Sequence, residues 1–516
     1  MADDSTMSRA RLLAVAVIWL FLLGIGVAVW SFWWKPRTEQ VEQTRIEQER
    51  QEIYESTSSE SRFKHSVTLN LDSFSGYCGF RSVDFFNECG KHGIRIKLTD
   101  DEANYSKRLG ALADGTCDLA VFTIDALIKA SAELGDIPAT IVSIIDETKG
   151  ADAIVAPEKR FPNIDSLNIP ELRIVCVPDS PSETLARVIM AYFNLDQLAD
   201  DPFEFVDSAE AVYKSYQSSK PTDNKVFAIW EPYVSRVAAN PDYHAVIDSS
   251  KFRGYIVDVI VARRGFLHKN KGIVGQVVKS YQKTIFENRN KMTEMILEDA
   301  RQLGEPLKEE QANNLMAGIW WKNTQENYAH FGLTSGHKLQ HIEEICVNIT
   351  DVLIKSNAIA KDPTGGSTNQ LYYDGVVREL YDTQWHPGIG PEGIRSETSL
   401  AVLTEREWKA LVPVGTLQIP RLVFARGTAR LRDRSLATLD KLAESLETWP
   451  QYYLTVIGST TSKGNLEANR ELAKNRAQTA VDYLTQKGVD ENRIHAETSV
   501  TNGSTTVTFV LGELPY

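Results

Sequence analysis

The sequence has few cysteines, and their spacing does not indicate a cysteine-ligated metal site. The five are Cys78, Cys89, Cys117, Cys176 and Cys346. They are odd in number and lack the close spacing of metal ligands. Cys117 and Cys176 occur in apolar strand patterns typical of buried thiols, whereas Cys78 and Cys89 could pair in an oxidising compartment. We therefore expect no metal, no cofactor and no cysteine-based catalysis.

An excess of basic charge is also missing. The formal net charge is −13 at pH 7, and no extended Lys/Arg cluster offsets it, which argues against a nucleic-acid surface. The histidines are scattered, and no nucleophile, metal site or acid–base pair can be recognised, so an enzyme is not indicated. The net charge does not decide the charge of a small ligand, because local donors and helix dipoles can override it.

One long apolar run is present. Leu12–Trp34 contains no charged residue and is long enough, at 1.5 Å per residue, to cross a hydrocarbon layer of about 30 Å. It exceeds the apolar core of a signal peptide, lacks a lipobox cysteine, and is not followed by a small-x-small cleavage pattern, so we expect an uncleaved signal anchor. Basic residues flank both ends of the run and do not settle its orientation. The simplest topology has a short cytoplasmic tail (1–11) and an exported body.

Two polar segments divide the rest of the chain. Residues 35–63 are rich in Glu and Gln, which predicts a helical spacer that ends in a Ser-rich linker. Residues 384–401 contain several Pro and Gly residues and predict a second linker. We therefore expect a body at 64–383, with a second lobe at about 150–260, and a separate C-terminal domain at 402–516.

Strand patterns alternate with amphipathic helices in the body, for example SVTLNLDSF, IRIKLT and CDLAVFT. This alternation predicts βαβ units and a mainly parallel sheet, whose ligands bind beyond the carboxyl ends of the strands. In RIVCVPDSPSETLARVIMAYF, a strand leads into a helix that Ser180 can cap, with Glu183 completing a capping box. The hydroxyl of Ser182 is then expected to be free for a ligand.

Five motifs in the body are LDSFSGY, GTCDLAVFTIDAL, IIDETKGADAIVAP, the strand and helix just described, and KVFAIWEPY. In this order they resemble the nitrate, sulfonate and thiamine-precursor group of type II periplasmic solute-binding proteins, the substrate-binding components of ABC transporters. The resemblance implies a two-lobed α/β clamp that closes on a small molecule. The motif residues that would face the cleft are Ser73, Phe74, Ser75, Tyr77, Thr123, Asp125, Ser180, Ser182, Trp230, Glu231 and Asp258.

The chemistry of these loops leans away from a strongly anionic ligand. A nitrate or sulfonate needs several donors and preferably an Arg or Lys, whereas the loops offer acids and hydroxyls. Arg81 and Lys149 are the nearest basic candidates. A neutral or cationic metabolite therefore fits equally well. Each candidate also has a structural interpretation: Trp230 as lobe packing, for instance, and Asp258 as a carboxylate bonded to backbone.

The C-terminal region has motifs with specific spacing. F-x-x-G-x-A-x-L begins at Phe424, G-x-T at Gly458, and N-x-x-L-x-x-x-R-A at Asn469. They resemble the OmpA-like peptidoglycan-associating domain, which implies a small α+β fold. In that family an Asp after G-x-T and a later Arg grip the diaminopimelate of the peptide stem. The Arg matches Arg476, but Thr461 stands at the Asp position and the family's late Asn-Arg-Arg pattern is absent.

The resemblance thus implies peptidoglycan binding through Thr461, Asn469 and Arg476, with reduced affinity because the carboxylate is missing. Arg476 could instead be an ion-pair partner on a helix surface. Taken together, the sequence predicts a single-pass inner-membrane protein whose periplasmic body captures or senses a small solute. The alternative is a cell-envelope scaffold that uses a degenerate clamp to bind a protein partner. A transporter or an envelope complex is the expected protein partner.

Overall fold

The computed structural model describes residues 63–336, 339–395, 400–461, 464–501 and 506–515. The predicted cytoplasmic tail (1–11), the membrane span (12–34) and nearly all of the spacer (35–63) lie outside these ranges. Within them, no helix is both long enough and apolar enough to cross a bilayer. Residues Ser66–Tyr516 form one compact unit.

The first half of lobe one alternates strands with helices, as the sequence predicts. Its elements are β1 (His65–Leu71), α1 (Cys78–Arg81), α2 (Val83–Lys91), β2 (Ile94–Asp100), α3 (Tyr105–Asp114), β3 (Leu119–Thr123), α4 (Ile124–Leu134) and β4 (Ala139–Thr148). The side chains of Asn104 and Thr123 cap α3 and α4 by accepting a backbone N–H. Strands β3 and β4 are buried along their whole length, so they form the centre of this lobe.

The chain then crosses into lobe two. Its elements are β5 (Asp152–Pro157), β6 (Arg173–Cys176), α5 (Pro181–Tyr192), β7 (Phe203–Phe205), α6 (Ala209–Ser218), β8 (Lys225–Trp230), α7 (Tyr233–Ala238) and β9 (Tyr243–Asp248). The sheet order is β7-β6-β8-β5-β9. Ser180 caps α5 as predicted. The Glu183 carboxylate accepts from the N–H of Asp179 instead of Ser180, so only half of the predicted capping box forms.

The chain returns to lobe one and completes it. The returning elements are β10 (Val257–Arg263), α8 (Arg264–Asn288), α9 (Met292–Gln302), α10 (Glu309–Ala317), β11 (Ile319–Trp321), α11 (Thr324–His330), α12 (Ile342–Lys355) and α13 (Gly375–Asp382). The sheet order is β11-β4-β10-β3-β1-β2, with β10 antiparallel to β3 and β4. The sheet is therefore mixed and not mainly parallel. The returning chain enters it at the carboxyl ends of β3 and β4, so β10 runs in the opposite direction to both.

Two crossings, residues 149–151 and 249–256, join the lobes and are bonded to each other. The hydroxyl of Ser249 accepts from the N–H of Gly150 at 2.8 Å and from that of Asp152 at 3.2 Å. Gly254 donates its N–H to Glu147 at 2.6 Å and has a φ of 75°, a conformation that favours glycine. The two crossings therefore form one seam between the lobes.

The C-terminal domain has a four-stranded sheet with two long helices. Its elements are α14 (Glu405–Trp408), β12 (Val412–Thr416), α15 (Asp433–Leu446), β13 (Tyr453–Thr461), α16 (Leu466–Gln486), β14 (Ile494–Thr501) and β15 (Val507–Glu513), in sheet order β12-β15-β13-β14. A Cβ at Gly458 would lie 2.1 Å from the carbonyl oxygen of Ala473. The glycine of the G-x-T motif thus lets α16 approach β13.

The described part of the predicted linker packs on lobe one. Arg395 pairs with Glu326 at 3.1 Å, and Glu392 accepts from the N–H of Thr324 at 2.9 Å. The chain up to residue 395 is therefore held by specific bonds.

All five cysteines are buried free thiols. Cys78 and Cys89 are therefore not paired, although the sequence left that pairing open. Burial raises the pKa of both thiols to about 12, so they are poor nucleophiles at neutral pH.

Trp449 joins the C-terminal domain to the body. Its side chain is 1% exposed, and its ring packs edge-on against Tyr192 and Phe193 at the end of α5, with centroids 5.9 and 5.4 Å away. Phe252 in the second crossing lies 5.7 Å from it. The tryptophan therefore contacts both lobe two and the seam.

Polar bonds surround this aromatic contact. The N–H of Arg253 donates to the carbonyl of Thr448 at 3.0 Å, and the hydroxyls of Tyr255 and Thr448 lie 3.3 Å apart. Lys251 pairs with Glu513 at 2.7 Å. The C-terminal domain thus bonds directly to the crossing at 249–256.

We expect Trp449→Ala to cost about 3–5 kcal/mol, because it removes a buried aromatic side chain and leaves a cavity. Calorimetry should show that the C-terminal domain no longer unfolds together with the body. Trp408→Ala is the matched control, since Trp408 is also buried but stacks on His495 inside the C-terminal domain. Unchanged unfolding of the Trp449 variant would contradict this role.

Candidate functional site

The candidate site lies where strand ends of the two lobes meet. On lobe one, Asp72 directly follows β1, Thr123 ends β3, and Asp258 is the second residue of β10. Asp258 is the cross-strand partner of Thr123 on one side and of Asp146 on the other. Because directly opposite residues of antiparallel strands point to the same face, the side chains of Asp146 and Asp258 are neighbours.

Lobe two contributes the ends of β5 and β8 and the start of α5. Asp152 begins β5 opposite Trp230, which is partly buried at the end of β8. Ser182 is fully buried, and its hydroxyl donates to Oδ1 of Asp152 at 2.6 Å. The hydroxyl that we expected to be free for a ligand therefore already has a protein partner.

Bonds beside the cleft hold the lobes together. The hydroxyl of Thr184 on α5 donates to Oδ2 of Asp125 on α4 at 2.5 Å. Lys129 on α4 pairs with Glu183 on α5 at 3.3 Å. The structure is thus a closed arrangement in which polar groups of one lobe bond to those of the other.

The loop after β1 is fixed by Arg81. Its guanidinium pairs with Asp299 at 2.6 Å and donates to the carbonyls of Asp72 and Phe74 at 2.7 and 2.6 Å. Tyr77 is buried and packs edge-on to Phe74, with ring centroids 5.2 Å apart. Arg81, one of the two basic candidates for an anionic ligand, is therefore committed to the loop.

The other basic candidate, Lys149, lies over the ring of Trp320 at 4.8 Å. Lys322 lies 3.4 Å from the centroid of the same ring and pairs with Glu147 at 2.6 Å. Burial would raise the pKa of Glu147, yet the Lys322 ammonium lowers it below its usual value. This ion pair is thus satisfied inside the protein.

Three further predicted residues lie at the rim or serve local structure. Ser73 is exposed and Ser75 partly buried. Glu231 accepts from the N–H and the hydroxyl of Ser235 at 3.2 and 2.7 Å. Its carboxylate therefore supports the first turns of α7.

Two carboxylates at the site were not among the predicted residues. Asp146 lies in β4 and Asp152 begins β5, on either side of the first crossing, and both are buried. Asp258 was predicted because it is an acid within an apolar strand pattern. The same feature is present in the sequence at Asp146 and Asp152.

Burial dominates the electrostatics of these acids. It raises the pKa of Asp152 to about 7, and it raises the pKa of Asp146 to about 7 as well. Burial and the neighbouring Asp146 raise the pKa of Asp258 well above its usual range, and burial also raises that of Asp125. At mildly acidic pH Asp146, Asp152 and Asp258 therefore hold protons.

In the C-terminal domain the motif residues contact one another. The Arg476 guanidinium lies 4.9 Å from the Phe424 ring centroid and donates to the carbonyl of Thr428 at 3.0 Å. Asn469 is partly buried on α16. Thr461 ends β13, and its side chain lies outside the described part of the structure.

Comparison with known proteins assigns the C-terminal region. Residues 423–508 match the OmpA family. Over 74 residues, or 14% of this chain, the sequence is 35% identical to the peptidoglycan-associated lipoprotein of Rhizobium meliloti and 34% identical to that of Brucella melitensis. These matches cover 42% and 44% of the two lipoproteins, so the chain spans less than half the length of the curated relatives it matches.

Two of the similar solved structures are sulfonate-binding proteins. The alkanesulfonate-binding protein SsuA from Xanthomonas axonopodis pv. citri, bound to MOPS, is 14% identical with a TM-score of 0.43, over 58% of this chain and 95% of that one. The aliphatic sulphonate-binding protein SsuA from Escherichia coli is 13% identical with a TM-score of 0.43, over 65% and 96%.

The buried acids predict a specific pH dependence of stability. The raised pKa of Asp152, about 7, means that its favourable contribution is complete below about pH 4 and is lost as the pH rises to about 7. An amide does not ionise, so Asp152→Asn should gain stability relative to the parent as the pH rises from 4 to 8. We expect a gain of at least about 2 °C in Tm.

Thermal unfolding of both proteins at several pH values measures this difference. Asp382→Asn, an exposed acid on α13, is the control and should track the parent at every pH. A constant difference between Asp152→Asn and the parent would show that the carboxyl is not held protonated.

Proposed function

We propose that this protein is an extracytoplasmic solute-binding protein of the ABC-transporter substrate-binding type, anchored in the inner membrane by residues 12–34. In this proposal its body lies in the periplasm, captures or senses a small solute, and has no enzymatic activity. The C-terminal domain associates with peptidoglycan. A protein held at membrane and wall cannot shuttle freely to a transporter, which favours local capture or sensing.

The observation that carries the solute-binding proposal is the position of the buried polar groups. These groups lie at strand and helix ends on either side of the seam formed by the two crossings. They are Asp146 and Asp258 on lobe one and Asp152 and Ser182 on lobe two. Two lobes joined by a seam can open and close by small backbone rotations at the seam. Opening would expose these groups to a solute, and closure would bury it.

The OmpA match supports the wall-binding part. Arg476 is held in place by Phe424 and Thr428 of a second motif, which orients its guanidinium for a carboxylate. Two matched relatives are named peptidoglycan-associated lipoproteins. The threonine at position 461 lacks the negative charge that would hold an ammonium group, so we propose weak binding.

One observation favours the second candidate, an envelope scaffold. The Ser182–Asp152, Thr184–Asp125 and Lys129–Glu183 bonds already satisfy groups that a ligand would use. A clamp that stays closed in this way would present a fixed surface to a protein partner. The two functions differ in whether any small solute stabilises the protein.

A thermal-shift screen of the full-length chain against sulfonates, amino acids, amines and pyrimidines tests solute binding. A solute at 100 times its Kd should add about 2.7 kcal/mol of stability. Ser182→Ala or Trp230→Ala should abolish the shift, because each removes a group at the lobe-two side of the cleft. Ser218→Ala, an exposed serine on α6, should keep it. The absence of a shift with every solute would favour the scaffold.

Binding of a diaminopimelate-containing muropeptide tests the wall interaction. We expect Arg476→Ala to abolish binding and Thr461→Asp to increase affinity by about tenfold, since a charge-assisted bond is worth about 1.5–3 kcal/mol. Arg470→Ala, on the exposed side of the same helix, is the control. Calorimetric titration measures all four proteins, and equal affinities of the parent and the Arg476 variant would exclude this site.

A further inference from the structure

The cleft differs from the rest of the protein in how its acids are neutralised. Seven buried Asp or Glu residues in the described ranges pair with a basic side chain; these acids are Asp72, which borders the cleft, and Glu88, Asp101, Glu147, Glu183, Asp299 and Glu326. Four buried acids form no such pair in the described part of the chain. They are Asp125, Asp146, Asp152 and Asp258, and all four lie at the cleft.

Several oxygens of these acids also lack hydrogen bonds. Both carboxylate oxygens of Asp146 and the Oδ1 atoms of Asp125 and Asp258 are buried without a donor from any other protein group in the described structure, and the carboxyls of Asp146 and Asp258 lie within hydrogen-bonding reach of each other. All three side chains are at most 3% exposed. Buried oxygens without donors are costly, so these atoms are positioned to accept bonds from a group that enters the cleft.

The basic residues near the cleft are already engaged. Lys129 pairs with Glu183, Arg108 with Asp72, and Lys322 with Glu147. At the start of α5, Ser182 and Thr184 donate to Asp152 and Asp125. A bound anion would therefore meet acids where it needs basic side chains, and its charge would oppose the ionisation of these acids.

We propose that the cleft binds a solute that carries an ammonium or guanidinium group, with Asp146 and Asp258 as its anchor, Asp125 on the same lobe, and Asp152 closing from lobe two. This inference rests on the proposed solute-binding function and names its substrate class. The cation supplies the positive charge and the N–H donors that these four acids lack within the protein.

The proposal couples binding to proton release. The groups around the anchor are Asp72 and Tyr77 from the loop after β1, Tyr105 from α3, Tyr281 from α8, Glu147 in β4 and Lys322 after β11. Of these, Glu147 and Lys322 neutralise each other, whereas Asp72 shares the Arg108 guanidinium with Asp101. Without a ligand the anchor carries protons, which the cation displaces. Affinity should therefore rise up to about tenfold per pH unit between pH 5 and 7 for each proton released.

A length-matched series tests the charge preference on the full-length chain. We would compare 1,4-diaminobutane, 1,4-butanediol and succinate, with agmatine and L-arginine as guanidinium probes, by thermal shift and calorimetric titration. The expected result is stabilisation by the amines and guanidines alone, tighter binding at pH 7 than at pH 5, and release of protons to the buffer.

Two amides test the anchor. Asp146→Asn and Asp258→Asn should weaken amine binding at least tenfold and reduce proton release, whereas Asp382→Asn should leave both unchanged. Each amide replaces a buried acid by a neutral group of the same shape, so both variants should fold, which their thermal unfolding checks.

The outcomes separate the two proposals. A shift with succinate, butanediol or a sulfonate, and none with the amines or guanidines, would overturn the cation preference and leave solute binding intact. An unchanged amine affinity in both amide variants would overturn the anchor. No shift with any solute would overturn both proposals together.

Discussion

A carboxylate that is removed from water needs a cation or a proton. Among the described residues, most buried acids meet that requirement with a lysine or arginine, and several of these pairs are structural, such as Arg81 with Asp299 across lobe one. Arg108 lies between Asp72 and Asp101 and also donates to the carbonyl of Val121. These pairs fix the loops that surround the cleft.

At the cleft no lysine or arginine in the described ranges meets this requirement and protons do so instead, which gives the site its chemical character. Asp146 and Asp258 lie opposite each other on neighbouring strands because β10 returns between β3 and β4. The antiparallel entry of β10 thus places its second residue beside the end of β4. The unmatched pair of acids is a consequence of the strand order, which in turn follows from the excursion of the chain into lobe two.

Local features were predictable from the sequence, and long-range ones were not. The strand–helix alternation, the cap at Ser180 and the motifs around Gly458 follow from neighbouring residues, and the structure contains them. The antiparallel direction of β10 depends on where the chain re-enters, which local patterns do not encode. The partner of Ser182 is an acid from another strand, so its occupied hydroxyl could not be foreseen. The docking of Trp449 on Phe252 joins segments far apart in the chain.

The corner between α15 and β13, residues 446–452, is fixed by several hydrogen bonds. The Arg493 guanidinium donates to the carbonyls of Leu446, Trp449 and Tyr452, and the adjacent Thr448 bonds to Arg253 in the second crossing. A force applied to the C-terminal domain is therefore transmitted to the seam through the hydrogen bonds of this corner. This path is much shorter than the stretch of chain that connects residue 253 to residue 448. Mechanical tension on that domain would act directly on the spacing of the two lobes.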